Sequence, residues 1–320
     1  MCEEKNITAK VSKNFDIKEY PYAFDVDRNG FPALTPQNIE RINFIIHHDS
    51  NYRPLKEDGS DSISETIKSR IRKNKNIDDY SCDYDDILAV VRIIDKLNST
   101  RQSSLGPKIK GGKGQESEKE LGRKITAYYI STIENFYKRL EEGDPKLVDD
   151  IAKNAISPES TKKAIEAGKI EESGWNEEKI NSVSRYTFSF ASKYCTYMAR
   201  AIFEGKNGED GYCIFDKVMC DILPYYAWVY LKENHLKKKR SKIPEEFAAK
   251  GNGNYEGYRK LIDRIIQRAE LLFGREYPKD PFYRISRKDF DHLLWYYFKG
   301  GNPTIKDAME LVGNDSAVLK

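Results

Sequence analysis

Apolar residues in this chain recur every three or four positions, segment after segment, and almost nowhere in alternation; that period is what most restricts the fold. Ile87, Val90, Val91, Ile94 and Leu97 predict a helix over 84–98, and Tyr258, Leu261, Ile262, Ile265, Ile266, Ala269 and Leu272 predict another over 255–273. A further helix opens at Ser286-Arg287-Lys288-Asp289, close to a capping box, and buries Phe290, Leu293, Leu294 and Tyr297. Near the start, Thr35 caps and Pro36 takes the first helical position ahead of Ile39, Ile42 and Ile46. A helix is expected around 62–72, a long one from Leu121 through Leu140 toward Gly143-Asp144-Pro145, and shorter ones to about 171. Residues 1–34 lack a clear period and read as an extended arm or a short sheet. No strand–turn–helix alternation occurs, which excludes a parallel α/β sheet and leaves a mostly α fold.

A stretch poor in apolar residues and rich in Gly, Lys and Ser, 99–117, reads as an exposed connection. It divides the chain into a mainly helical N-terminal accessory lobe with an irregular start, 1–116, and a larger helical domain, 117–320. A chain of 320 residues can bury one large core or two ordinary ones without staples. The five cysteines are odd in number and form no CxxC pair, which points to reduced thiols in a reducing compartment. No run of about 18 apolar residues exists and Met1-Cys2-Glu3-Glu4-Lys5 has no apolar signal core, so a cytoplasmic protein without membrane contact is expected.

The net charge of +3 hides 54 basic and 51 acidic residues, so the position of charge matters more than its sum. Two basic segments stand out: one contains Lys237, Lys238, Lys239 and Arg240, the other, glycine-rich, Lys108, Lys110 and Lys113. Both suit phosphate contacts, and both equally suit solvated loops. The second segment fails as a phosphate-binding P-loop, because Gly112 stands where the lysine is required, Lys113 where Ser or Thr is, and no strand precedes it. There is no GxSxG, HExxH or EF-hand loop, and the adjacent His47 and His48 cannot share a helix face. Neither a metal nor a cofactor is expected.

The informative segment is Ser184-Arg185-Tyr186-Thr187-Phe188-Ser189-Phe190-Ala191-Ser192-Lys193-Tyr194-Cys195. On a helix, Phe188, Ala191, Cys195, Ala199 and Ile202 form an apolar stripe, which puts Lys193 at its border among Tyr186, Phe190 and Tyr197. Desolvation disfavours an ammonium, and nucleophilic lysine chemistry requires the neutral amine. The same spacing also fits a lysine that snorkels between aromatics to solvent. Farther on, Asp216 follows Ile214-Phe215 and precedes a helix with Val218, Met219 and Ile222 turned inward, a natural N-cap. Capping alone explains it. A carboxylate fixed at a helix start is also suited to stabilising a developing cation.

These blocks, together with Ile285 to Tyr297, resemble the helix-hairpin-helix DNA glycosylase superfamily, in its bacterial branch with an 8-oxoguanine DNA glycosylase-like fold. The resemblance covers roughly residues 120–300. It implies a helical glycosylase-like domain, DNA as partner, and base excision with or without strand cleavage by the associated lyase step. By position it implies Lys193 as the residue that attacks the sugar and Asp216 as the carboxylate that assists. Tyr194, Tyr197, Phe215 and Trp228 are then the stacking candidates for an extruded base, although ordinary core packing fits each of them. Arg185 joins the two basic segments as a candidate for the DNA backbone. Where the family carries a glycine-containing hairpin before the lysine helix, this chain reads Lys179-Ile180-Asn181-Ser182-Val183-Ser184-Arg185, and an irregular segment, 203–211, follows the helix. The accessory lobe is compatible with an unusual substrate such as a modified base in phage DNA, and the missing glycines with an inactive nucleic-acid-binding or interaction module on the same scaffold.

Overall fold

The structure, a computed structural model, describes residues 24–48, 63–71, 80, 82–98, 118–206, 208–233, 254–276 and 284–298. In chain order the helices are α1 (Pro36–His48), α2 (Ile63–Ile71), α3 (Tyr84–Asn98), α4 (Glu118–Ser131), α5 (Phe136–Glu141), α6 (Pro145–Asn154), α7 (Pro158–Glu166), α8 (Glu177–Ser182), α9 (Phe188–Ile202), α10 (Lys217–Tyr226), α11 (Tyr255–Glu276) and α12 (Arg287–Phe298). The fold is mostly α, and β pairing among the described residues is limited to isolated bridges, Val26 with Pro32 and Ile156 with Arg185 among them. No helix among them is long and apolar enough to cross a membrane.

The chain forms two compact units that are discontinuous in sequence and do not follow a division at 116/117. One gathers Met1–Arg53, Asp216–Pro244 and Tyr258–Lys320; the other, Pro54–Phe215 and Glu245–Gly257. The reason lies in helix pairing across the sequence: α1 packs on α12 in the first unit, whereas α2 and α3 pack on α9 in the second.

In the second unit α9 lies against α2, α3, α5 and α6, and every residue of it except Ser189 and Tyr197 is buried. Helices buried all round belong to the middle of a fold. The single apolar stripe expected from the sequence therefore understates α9, because Ser192, Lys193, Thr196 and Arg200 are buried with the apolar residues. Short helices around it begin with side-chain caps: Asp144 accepts from Lys146 N at 3.0 Å ahead of α6, and Ser157 from Ser160 N at 3.2 Å ahead of α7. Pro145 and Pro158 stand just inside those starts, where a missing N–H costs nothing.

The long helix expected over 121–140 is two helices, α4 and α5. Ser131 and Thr132 donate their hydroxyls to the carbonyls of Tyr128 and Tyr129, and Asn135 turns left-handed at φ 53° before α5. Beneath α4, α7 and α8 sits a separate apolar cluster of Ile125, Ile156, Ala164, Ile170 and Val183.

In the first unit, residues 24–34, the described part of the segment 1–34 expected as an arm or short sheet, form a turn. Asn38, fully buried, bonds Asp25 N at 2.8 Å, Asp25 O at 2.7 Å and Ala33 O at 2.8 Å. Tyr225 donates to Asp27 Oδ2 at 2.6 Å, Tyr226 to Pro32 O at 2.7 Å, and Tyr230 accepts from Leu34 N at 2.9 Å. The helix expected after Asp216 changes character past Pro224, which has no N–H to give the ladder, and ends in a π-helical turn, Ala227–Leu231.

Candidate functional site

Lys193 sits in the middle of α9 and is only 4% exposed. The border position expected for it is deeper than the periodicity implies. Its neighbours one turn to either side, Ser189 and Tyr197, are the two residues of α9 that are not buried, so the lysine lies on the helix's one partly open strip while itself covered.

The residue before it, Ser192, joins α9 to a buried stretch without regular structure, Tyr212–Phe215. Its hydroxyl accepts from Phe215 N at 3.0 Å and lies 3.2 Å from Phe215 O and 3.1 Å from Ser189 O, to which it donates. Two residues earlier Tyr255 does the same work: its hydroxyl accepts from Cys213 N at 2.7 Å and donates to Cys213 O at 2.8 Å. A buried backbone outside helix or sheet needs such partners, and two side-chain hydroxyls supply them here.

Asp216 follows Phe215 as the N-cap of α10, as its sequence position predicts. One oxygen, Oδ1, accepts from Met219 N at 3.1 Å; the other, Oδ2, accepts from the indole N–H of Trp295 at 2.7 Å. The carboxylate is 9% exposed. Trp295, on α12, is a partner that sequence periodicity does not reveal, since it says nothing of which polar atom an indole meets.

The four aromatic candidates divide. Tyr194 is fully buried between Phe136 and Phe190, at 6.1 and 5.7 Å between ring centroids, and burial pushes its hydroxyl well above the usual phenol range. Phe215 is 4% exposed and meets Phe188 edge-on at 4.6 Å. Both are core residues in this arrangement, with no face open for stacking. Tyr197 and Trp228 are half-buried; Trp228 lies in the π-helical turn, 5.8 Å from the ring of Tyr225. Arg185 is half-buried, and its N–H donates to Ile156 O at 3.1 Å, forming an isolated bridge. Lys108, Lys110, Lys113, Lys237, Lys238, Lys239 and Arg240 lie outside the described residues.

The irregular segment after α9 packs on the end of α5. Gly208 has φ +103°, and a Cβ there would lie 2.9 Å from Glu141 O; one on Gly211 would lie 3.0 Å from Gly143 Cα. Tyr212 then bonds the carbonyls of Arg139 and Asp144 at 3.1 and 3.2 Å. Across the unit, Asp149 accepts from Tyr255 N at 3.2 Å; burial raises its carboxyl, and Asp150, Asp144 and Glu256 add to the rise, to about 6. Neither Asp149 nor Arg200, 6% exposed on α9, was singled out by sequence motifs.

Among the described residues no group of three or more His, Cys, Asp or Glu is placed to hold a metal ion, and Cys82, Cys195, Cys213 and Cys220 form no disulfide. No protein-family model, curated protein or solved structure matches this chain.

Proposed function

We propose that the chain is a DNA N-glycosylase, acting in the cytoplasm, in which Lys193 is the nucleophile and Asp216 stabilises the sugar cation. One observation carries the reading. Lys193 is buried on α9 beside Ser192, and the Ser192 hydroxyl holds the backbone of Phe215, the residue that leads into the capping carboxylate Asp216. A lysine withdrawn from water is costly to a fold, and nucleophilic lysine chemistry uses a desolvated amine.

In the proposed reaction the Lys193 nitrogen lone pair forms a bond to sugar C1′ as the C1′–N glycosidic bond breaks. The bond's electrons leave with the base, which takes up a proton. The aminal then opens with its ring oxygen taking a proton, leaving an imine between Lys193 and the sugar. The reading assigns Asp216 the role of stabilising the positive charge that develops at C1′. The half-buried Tyr197 and Ser189 mark the approach to the lysine, and Tyr197 and Trp228 are the aromatics with surface left for a base.

Borohydride trapping tests this. A duplex carrying one abasic site offers the C1′ aldehyde without requiring knowledge of the base, and duplexes with a panel of modified bases then test excision. The parent should become covalently linked on reduction and Lys193→Gln should not. Equal trapping in both would remove Lys193 from the chemistry. The burial of Tyr194 and Phe215 favours a second reading, a binding module on the same helices, and DNA binding without any trapping would select it.

A further inference from the structure

Where α2 and α9 end against each other in the second unit, the surface dips into a cavity of about 120 Å³, partly open to solvent. An apolar cavity of about 150 Å³ takes up benzene, so this one has room for a branched chain of roughly four carbons. Ile202 and half-buried Tyr80 form its accessible wall, and the buried Ile71 and Ala201 complete it. The Tyr80 ring is set by Tyr137 at 5.0 Å and Phe203 at 6.5 Å between centroids, and its hydroxyl donates to Ile202 O at 3.4 Å.

The mouth is charged. Lys68 lines it from α2, and Glu204 and Lys206 line it from the turn after α9. Lys68 is paired with Glu204. Lys206 is exposed, and its ammonium has no partner among the described residues. The turn is held in place: Gly205 N–H donates to Glu209 Oε2 at 2.7 Å and Lys206 N–H to Phe203 O at 2.8 Å. Glu209 is thereby turned to the backbone of Gly205 and does not line the cavity. The carboxyl end of α9 contributes about half a negative charge and Glu204 a whole one. Two ammonium groups exceed both, so the mouth favours an anion.

We propose that this cavity binds a small organic monocarboxylate, with a branched apolar chain against Ile202 and Tyr80 and the carboxylate at Lys206 and Lys68. An apolar wall with a few convergent polar groups is the usual form of a small-molecule site. A bare anion leaves that wall wet, and a cation of the same shape meets two like charges. Ile202 stands nine residues beyond Lys193, about 13 Å along the helix axis. The cavity is therefore separate from the lysine, and the proposal stands whether or not Lys193 reacts.

Isovalerate, formate and isoamylamine are the probes, titrated onto the full chain at constant ionic strength and followed by saturation-transfer NMR. Isovalerate should saturate with a Kd on the order of 1 mM, the range open to a ligand of few atoms in a shallow site. Formate, which lacks the chain, and isoamylamine, which reverses the charge, should bind about fivefold more weakly or worse. The two exposed charges then predict opposite signs. Lys206→Gln should weaken isovalerate about fivefold, whereas Glu204→Gln, which removes the carboxylate competing for Lys68, should tighten it by a factor of about two to five. Both variants should melt with the parent, because exposed ion pairs contribute little to stability. No saturation by isovalerate, binding no tighter than that of isoamylamine, or a Kd unchanged in both variants would overturn the proposal.

Discussion

Replacing Asp216 with asparagine removes the negative charge and, less obviously, one of two acceptors in use. The carboxylate serves two donors at once, Met219 N–H through Oδ1 and the Trp295 indole through Oδ2. An asparagine has one oxygen. If that oxygen keeps the cap, its NH2 group points at the indole N–H, and a hydrogen bond to a charged acceptor, worth about 1.5–3 kcal/mol, gives way to two opposed donors. Asp216→Asn is therefore expected to lose about 2–3 kcal/mol despite keeping a good capping residue. Trp295→Phe removes the same bond from the other side and should cost about 1–3 kcal/mol, part of it lost packing. In the double variant no donors oppose each other, so its loss should fall short of the sum by about 1–2 kcal/mol. Urea unfolding of the four proteins at equal m reads these values. Additivity within about 0.5 kcal/mol would show that the indole bond contributes nothing and refute the reasoning. Trp295→Phe is also the control for chemistry, since it perturbs the same carboxylate and leaves its charge: trapping should survive it and fall in Asp216→Asn.

Asp149 is held near 6 by burial and by the like charges of Asp150, Asp144 and Glu256, against a usual value of 3.8, so the folded state favours its protonated form. That contribution is complete below about 4 and lost as pH rises through 6; Asp149→Asn, which keeps an oxygen for Tyr255 N–H, should melt above the parent at pH 8 and level with it near pH 4. Gly208→Ala should destabilise by about 2 kcal/mol or more in urea unfolding, because a positive φ and a Cβ 2.9 Å from Glu141 O combine. Gly168→Ala, at φ +66° with nothing near, should cost only about 1 kcal/mol, and equal losses at the two glycines would discount the contact. Asn38→Ala strands the Asp25 N–H, while the Asp25 and Ala33 carbonyls keep Ala33 N and Thr35 N, and should cost about 1–3 kcal/mol; a parental urea midpoint would mean that the turn at 24–34 does not need it.

Helices whose apolar residues face one way were legible. The Pro36 start of α1, the span of α3, the stripe of α11 as far as Ala269, though not the exposed Leu272, and the Ser286–Asp289 box before α12 all follow from period and cap. What periodicity missed was set by single polar contacts or by distant chain. The break between α4 and α5 depends on two hydroxyls and one left-handed asparagine, none of which disturbs an apolar count. The turn at 24–34 is held by tyrosines of 225–230, which no local reading reaches. A split at 116/117 follows composition, while the compact units follow the pairing of α1 with α12. At the site, the cap at Asp216 and the off-stripe place of Lys193 were readable. The burial of Lys193 was not, because α9 carries polar residues on the face that the structure covers.

That burial changes where the weight of the functional reading lies. Serine, threonine and asparagine cap a helix about as well as aspartate, so an aspartate at 216 invites an explanation from chemistry. The structure gives one from folding: of the capping side chains, only a carboxylate offers two acceptor oxygens, and Met219 N–H and the Trp295 indole use both. The identity of Asp216 is thereby accounted for without a reaction. Lys193 is buried on a helix covered nearly all round, where an apolar side chain would have a far lower desolvation cost. Of the proposed pair, then, the lysine carries the test, and reductive capture at that one amine is the observation that separates an enzyme from a scaffold.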